Sequence, residues 1–394
     1  EWRKLQRDWN KIWRDIHLRN HYKALDHQGI EFKNFDKRNF NVKTLVSELE
    51  SIRDEAHVIK ERYPEKEFAS SLEFTISHPD RLLDDLVRLI KVYLRSTSGL
   101  SSTDRKAILE FMSTFVPEFF AWKRTADLAD GFVPSKSRDE LSVDTEDSGA
   151  EDEIAELPLS GLIPASDTNS SRLLFANTSL FAFMRLLEMA LERLDKLFTI
   201  SQRSAPSASK EKRNVVAAFL DLQTREKFPD LGNDDYRSLM VLLKRFLYGD
   251  LEPAAFEEQA RFMFGNDAYS VYTFDKLLQA IVKQAQTVLV DSSCEHLIRL
   301  FDSCRGSSQQ QQKLSEYSLR LAAENLIASN VRDALFRVEW APRTGRLTFQ
   351  ILDRLFAAQG GSVEARWSAY VDGFVKLDTN PDYLDPKSHV FLKR

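Results

Sequence analysis

Thirteen glycines and twelve prolines are spread over 394 residues, about half their usual combined share. A chain with so few breakers lacks the closely spaced turns that a β-sandwich or barrel needs, and long helices are what it can fold into. The apolar pattern agrees. Trp2, Leu5, Trp9, Ile12, Trp13 and Ile16 recur every three or four positions, the spacing of one helical face. This helix is predicted to fail near Gly29, leaving Ile30, Phe32 and Phe35 in an extended or irregular segment. Asn41 can cap a second helix with Val42, Leu45, Val46, Leu49 and Ile52 on its apolar face, ending before Pro64. Leu72, Phe74 and Ile76 alternate with polar residues as in a short strand. Ser77 or His78 then caps a helix with Pro79 at its first position and Gly99 closing it, and Asp104 starts the partner of an amphipathic hairpin.

Between residues 125 and 171 the composition changes. Nine acidic side chains from Asp139 to Glu156 occur with no basic one among them, within Ser, Gly and Pro. Such a run repels itself and buries little, so it reads as a flexible acidic linker. Beyond it, helices are expected over 175–198, 235–248, 253–264, 272–301 and 313–329. The period then drops to two across Leu335–Phe336–Arg337–Val338–Glu339–Trp340 and again across Leu347, Phe349 and Ile351, a β-hairpin turning at 342–345. A helix near 364–375 and an extended tail at 390–392 could complete a small sheet. The fold class is therefore mainly α: a multi-helix scaffold in two blocks joined by an acidic linker, with a small antiparallel β-sheet near the C-terminus. The domain division is a helical block at 1–123, the linker at 124–171 and a second helical domain at 172–394.

Several function classes lack their signatures. A net charge of −5 demands neither nucleic acid nor an anionic membrane. No apolar run is long enough for a membrane span, and Cys294 and Cys304 are too few for a secreted disulfide framework, which makes a reducing intracellular compartment the expectation. The chain opens on Glu1 inside a helical pattern and reads as a piece of a longer polypeptide. Phosphate-cradling glycine loops, a nucleophile elbow and kinase motifs are missing from the sequence. Cys294 and Cys304 flank His296 without a second ligand pair, and His17 and His21 have the zincin spacing without an intervening Glu base. No catalytic residue, cofactor or metal is assigned, and the protein is expected not to be an enzyme.

What remains is surface chemistry. The first helix sets its tryptophans on one stripe among Arg3, Lys4, Arg7, Lys11 and Arg14. Tryptophan and arginine dominate binding energy at protein interfaces, which favours a protein-facing stripe. The alternative is a nucleic-acid-binding module using the same basic, Trp-rich helix, since bases stack on aromatics and phosphates attract arginine.

The residues also resemble a family. Glu1–Trp2–Arg3, Asn10–Lys11–Ile12–Trp13–Arg14–Asp15, Tyr22–Lys23–Ala24–Leu25–Asp26–His27–Gln28–Gly29–Ile30 and Phe32–Lys33 are similar to a signature of the switch-independent (Sin-type) corepressors with paired amphipathic helices. After the acidic run the resemblance resumes with Arg172–Leu173–Leu174–Phe175–Ala176–Asn177 and Phe183–Met184–Arg185–Leu186. It continues with Leu247–Tyr248–Gly249–Asp250–Leu251, Tyr272–Thr273–Phe274–Asp275–Lys276–Leu277 and His389–Val390–Phe391–Leu392. Asn266–Asp267–Ala268–Tyr269 stands where the family commonly has Thr-His-Ala-Tyr, and the upstream amphipathic-helix modules are missing from this chain. The resemblance implies the end of the deacetylase-interaction region plus the C-terminal conserved domain of a non-enzymatic nuclear scaffold. Its implied partners are a class I histone deacetylase and a WD-repeat histone-binding protein, with chromodomain and PHD-finger subunits and a nucleosome contact as further expectations, and no membrane. Within 2–35 the candidate partner-binding residues are Trp2, Trp9, Asn10, Trp13, Arg14, Tyr22, Leu25, Asp26, His27, Gln28 and Phe32.

Overall fold

The computed structural model describes residues 2–63, 70–122, 171–203, 235–306, 316–327 and 333–353. The acidic run, the predicted helix near 364–375 and the tail at 390–392 lie outside them. Among the described residues the chain is mainly helical. Helix α1 spans Trp2–Asn39 and α2 spans Val42–Arg62, with Asn41 capping α2 by accepting the Lys43 amide at 3.1 Å. Strand β1, Leu72–Thr75, leads to α3, Pro79–Ser96, and α4, Ser102–Phe120. Then come β2, Arg172–Ala176, and α5, Thr178–Arg203. The hairpin α6 (Asp235–Tyr248) and α7 (Pro253–Phe264) follows. Next are a 3-10 turn, Gly265–Val271, and α8, Phe274–Val290. Helices α9 (Ser292–Gly306) and α10 (Glu316–Ile327) precede the hairpin β3 (Leu335–Ala341) and β4 (Arg346–Leu352).

Both sequence blocks enter one sheet. Its antiparallel order is β1-β4-β3-β2, so the strand before the acidic run lies on one edge and the strand after it on the other. The core is likewise continuous from Leu45 to Ile351. Helix α5 runs through its middle: Leu180, Phe181, Phe183, Met184, Leu187, Leu191 and Leu194 are all buried and form one apolar stripe along the helix. Phe181 stacks on Phe336 at 4.2 Å, which seats the sheet on α5. Trp340 donates its indole N–H to the Phe120 carbonyl at 2.9 Å, fastening the hairpin to the end of α4.

Four local expectations are corrected. Helix α1 does not fail at Gly29 but runs ten residues further, to Asn39, so Ile30, Phe32 and Phe35 are helical. Glycine costs a helix about 1 kcal/mol; here Gly29 is buried beside the Tyr269 and Tyr272 rings, and the tertiary contacts of its neighbours Gln28, Phe32 and Lys33 offset that cost. Phe175 belongs to β2, because Asn177 ends the strand and caps α5 by accepting the Leu180 amide at 3.0 Å. The helix expected over 272–301 is broken at Asp291, whose backbone is extended and whose carboxylate accepts the Ser293 amide at 2.9 Å. A short acidic side chain that caps a new helix competes with continuing the old one. Helix α3 ends at Ser96 rather than Gly99, and Ser101, not Asp104, caps α4 by accepting the Asp104 amide at 3.0 Å.

One buried charge cluster sits where α5 meets α2 and β1. Arg185 pairs with Glu188 inside α5 and with Glu48 of α2 at 3.5 Å, and its guanidinium lies 4.3 Å from the Phe74 ring centre. Burial pushes the Glu188 carboxyl up to about 8 from 4.5, and Arg185 opposes that shift without cancelling it. Between those two values the folded state keeps a proton that the unfolded chain has released, so stability falls as pH rises through the window. Melting temperature is therefore expected to drop from pH 5 to pH 8. Glu188→Gln should remove its share of that slope, at most about 1.4 kcal/mol per pH unit. Thermal melts across this range check it; an unchanged slope in the variant assigns the pH dependence elsewhere.

Candidate partner surface on the first helix

Helix α1 has two halves with different surroundings. The C-terminal half is bolted to the body. Gly29 packs against the rings of Tyr269 and Tyr272, Phe32 stacks on Tyr269 at 6.1 Å, and Gln28 accepts the Tyr269 hydroxyl at 3.3 Å. Lys33 pairs with Glu257 of α7 and lies 5.5 Å from the Tyr272 ring centre. Asp36, buried, accepts Arg193 Nη2 of α5 at 2.5 Å and the Thr273 hydroxyl. Arg193 also donates to the Ser270 carbonyl at 3.0 Å and reaches over Phe40. These contacts tie α1 to α5, α7 and the 3-10 turn at once.

The N-terminal half is different. Every residue from Trp2 to His17 is exposed. Trp2, Leu5, Trp9, Ile12, Trp13 and Ile16 keep between 47% and 79% of their surface open, which is where a large apolar side chain gains least. At about 100° per residue, Trp2, Leu5, Trp9, Ile12 and Ile16 centre on a direction roughly 160° from that of Gly29, Phe32 and Asp36. The stripe thus faces away from the body that holds the helix. Arg3, Lys4, Arg7, Lys11 and Arg14 share the opposite, body-side azimuth. The hydrophobic and the basic features of this helix are therefore on separate faces.

The candidate residues divide accordingly. Trp2, Trp9, Asn10, Trp13 and Arg14 are exposed on the projecting half, with Trp13 stacked on His17 at 4.7 Å. Gln28 and Phe32 are engaged inside the chain by Tyr269, and His27 is exposed beside Glu31 at 3.6 Å. The side chains of Tyr22, Leu25 and Asp26 lie outside the described residues. Sequence reasoning missed the anchor formed by Asp36, Arg193 and Thr273. Its partners lie 157 and 237 positions from Asp36, and no local spacing announces them. It also missed a groove of about 580 Å³ bounded by Phe35, Leu45, Glu48, Arg185 and Met189.

Chemistry for turnover is sparse among the described residues. They hold no group of three His, Cys, Asp or Glu side chains placed to bind a metal. Cys294 is buried, donates to Asn177 Oδ1 at 3.2 Å, and is pushed up to about 12 by burial and by Asp291, whereas nucleophilic cysteines carry lowered values. Among these residues no helix is long and apolar enough to cross a membrane.

Fold and surface together define a mainly helical protein with a small antiparallel sheet and, among the described residues, an exposed apolar face on α1. Residues 174–394 match the family model described as the C-terminal domain of Sin3a protein, and the chain belongs to that family. It is 27% identical over 445 residues to the transcriptional regulatory protein SIN3 of Saccharomyces cerevisiae, covering 95% of this chain and 28% of that protein. It is 28% identical over 400 residues to the paired amphipathic helix protein Sin3b of Mus musculus, covering 95% of this chain and 36% of that protein. Against the paired amphipathic helix protein Sin3-like 2 of Arabidopsis thaliana the identity is 39% over 205 residues, 51% of this chain and 14% of that protein. The chain thus spans between 14% and 36% of the length of these relatives.

Proposed function

We propose that this chain is part of a non-enzymatic transcriptional corepressor scaffold in the nucleus. It assembles a class I histone deacetylase with histone-binding subunits, a WD-repeat protein among them, and chromodomain or PHD-finger subunits dock on the same body. Holding an enzyme beside its nucleosomal substrate raises effective concentration without any bond chemistry on the scaffold. The observation that supports this reading best is the apolar stripe on α1, uncovered by the described residues, in a chain similar to the transcriptional regulatory protein SIN3 of Saccharomyces cerevisiae. The deacetylase is assigned to that stripe. Exposed tryptophans on a pre-held helix bind at low entropic cost and are the residue type that most often carries about 2 kcal/mol or more at an interface.

Affinity purification of the chain carrying Trp9→Ala and Trp13→Ala tests this. Both side chains are half exposed, so folding and melting should be unchanged. Deacetylase recovery is expected to fall by about 30-fold or more. Recovery equal to that of the unaltered chain, with circular dichroism also equal, removes the assignment. Duplex DNA binding that weakens with salt and is lost on charge reversal of Arg7 and Lys11 would instead support the nucleic-acid reading.

A further inference from the structure

The exposed stripe has a narrower geometry than a general amphipathic face, and its flanks are charged in one sense. Trp2, Leu5, Trp9, Ile12 and Ile16 follow spacings of three and four without exception, the a and d positions of a heptad. Trp13 falls at an e position and leans onto His17, away from that seam. The g positions are Asp8 and Asp15; the arginines and lysines sit at b, c and f, outside the contact zone. A seam this narrow suits a single facing helix rather than a broad groove.

Resting on the reading of α1 as the partner surface, we infer that its exposed half is one strand of a two-stranded coiled coil. The second strand is a helix of another polypeptide with apolar a and d residues and lysine or arginine on its flanks. A second copy of this chain fits poorly. Antiparallel pairing sets Asp8 and Asp15 against each other, and parallel pairing sets them opposite Trp13 and Asn20, with no ion pair either way. A basic-flanked helix instead meets both aspartates with opposite charge, which fixes register and partner choice. A helix of about fifteen residues is marginal in isolation, but α1 is already ordered by its anchor at Asp36, so the partner need not supply that ordering.

The test uses the full chain and two designed four-heptad peptides, both with Ile at a and Leu at d, one with Lys and one with Glu at e and g. Titration followed by tryptophan emission should show a blue shift with the Lys peptide. Its affinity should exceed that of the Glu peptide by about tenfold at low salt. In Asp8→Lys with Asp15→Lys that preference should reverse, while Lys4→Glu with Arg7→Glu, at c and f positions, should leave it unchanged. Equal affinity for the two peptides, no binding of either, or an α1-dependent dimer in sedimentation overturns the inference. Loss of deacetylase on changing Trp9 and Trp13 without any peptide discrimination would sink the coiled coil alone; peptide discrimination with unchanged deacetylase recovery would sink the deacetylase assignment alone.

Discussion

Asp36→Ala is expected to release α1 from the body and to cost about 3–5 kcal/mol of stability. The carboxylate is buried, accepts Arg193 at 2.5 Å and takes the Thr273 hydroxyl as well. Removing it leaves a guanidinium that is 10% exposed with, among the described residues, the Ser270 carbonyl, the Thr273 hydroxyl and the Phe40 ring. An uncompensated buried charge is what makes a half-broken pair expensive. Domains have about 5–15 kcal/mol in all, so the loss is a large fraction. Hydrogen exchange locates it: amides of residues 29–39 should exchange faster in the variant, with those of α5 protected. Asp36→Asn keeps acceptor and shape while losing the charge, and should fall between the two. A variant that melts like the unaltered chain with α1 still protected would show that the aromatic contacts at Tyr269 and Tyr272 suffice to hold the helix.

The second large effect is expected at Gly345, in the turn of the β3–β4 hairpin. Its φ of +63° is left-handed, and a Cβ there would stand 2.2 Å from the Ile76 carbonyl oxygen. That oxygen is backbone, so no rotamer change relieves the clash. The same turn accepts the Ile76 amide at 2.8 Å through the Gly345 carbonyl, just beyond the last β1–β4 pair, Thr75 with Arg346. Gly345→Ala therefore adds backbone strain to a steric collision and loosens the joint between the first segment and the sheet, about 3–5 kcal/mol together. Gly249 supplies the control. Its φ is +84°, and a methyl added there would have nothing within 4 Å. Alanine at that position should therefore cost only the left-handed backbone penalty of about 1–2 kcal/mol. Equal losses in denaturant melts of the two variants would mean that the Ile76 contact carries nothing.

Local rules could be read from the sequence wherever one spacing decided the outcome. The period-two run of β3 and β4, the Asn41 cap and the α6–α7 hairpin turning at Gly249 needed only neighbours within a few residues. Legibility failed where tertiary contact overrode local preference. Gly29 is a helix breaker by propensity, and the contacts around it that hold α1 to the body, with Tyr269, Glu257 and Arg193, come from residues more than 150 positions away. The pairing of β1 with β4 spans 277 positions from Leu72 to Phe349, which no periodicity encodes. In the same way, the stripe of the candidate surface was visible as spacing. That it faces away from the body depended on the direction fixed by Asp36, Phe32 and Gly29, and this required the fold.

A partner surface of this kind is bare in the free chain and covered in use. Oxidative footprinting of Trp2, Trp9 and Trp13, read by mass spectrometry on the purified chain and on the assembly recovered from nuclei, measures this directly. The expected result is rapid modification of all three in the free chain, with buried Trp340 as the slow internal reference, and strong protection in the assembly. Equal modification in both states, or protection already complete in the free chain, would contradict it.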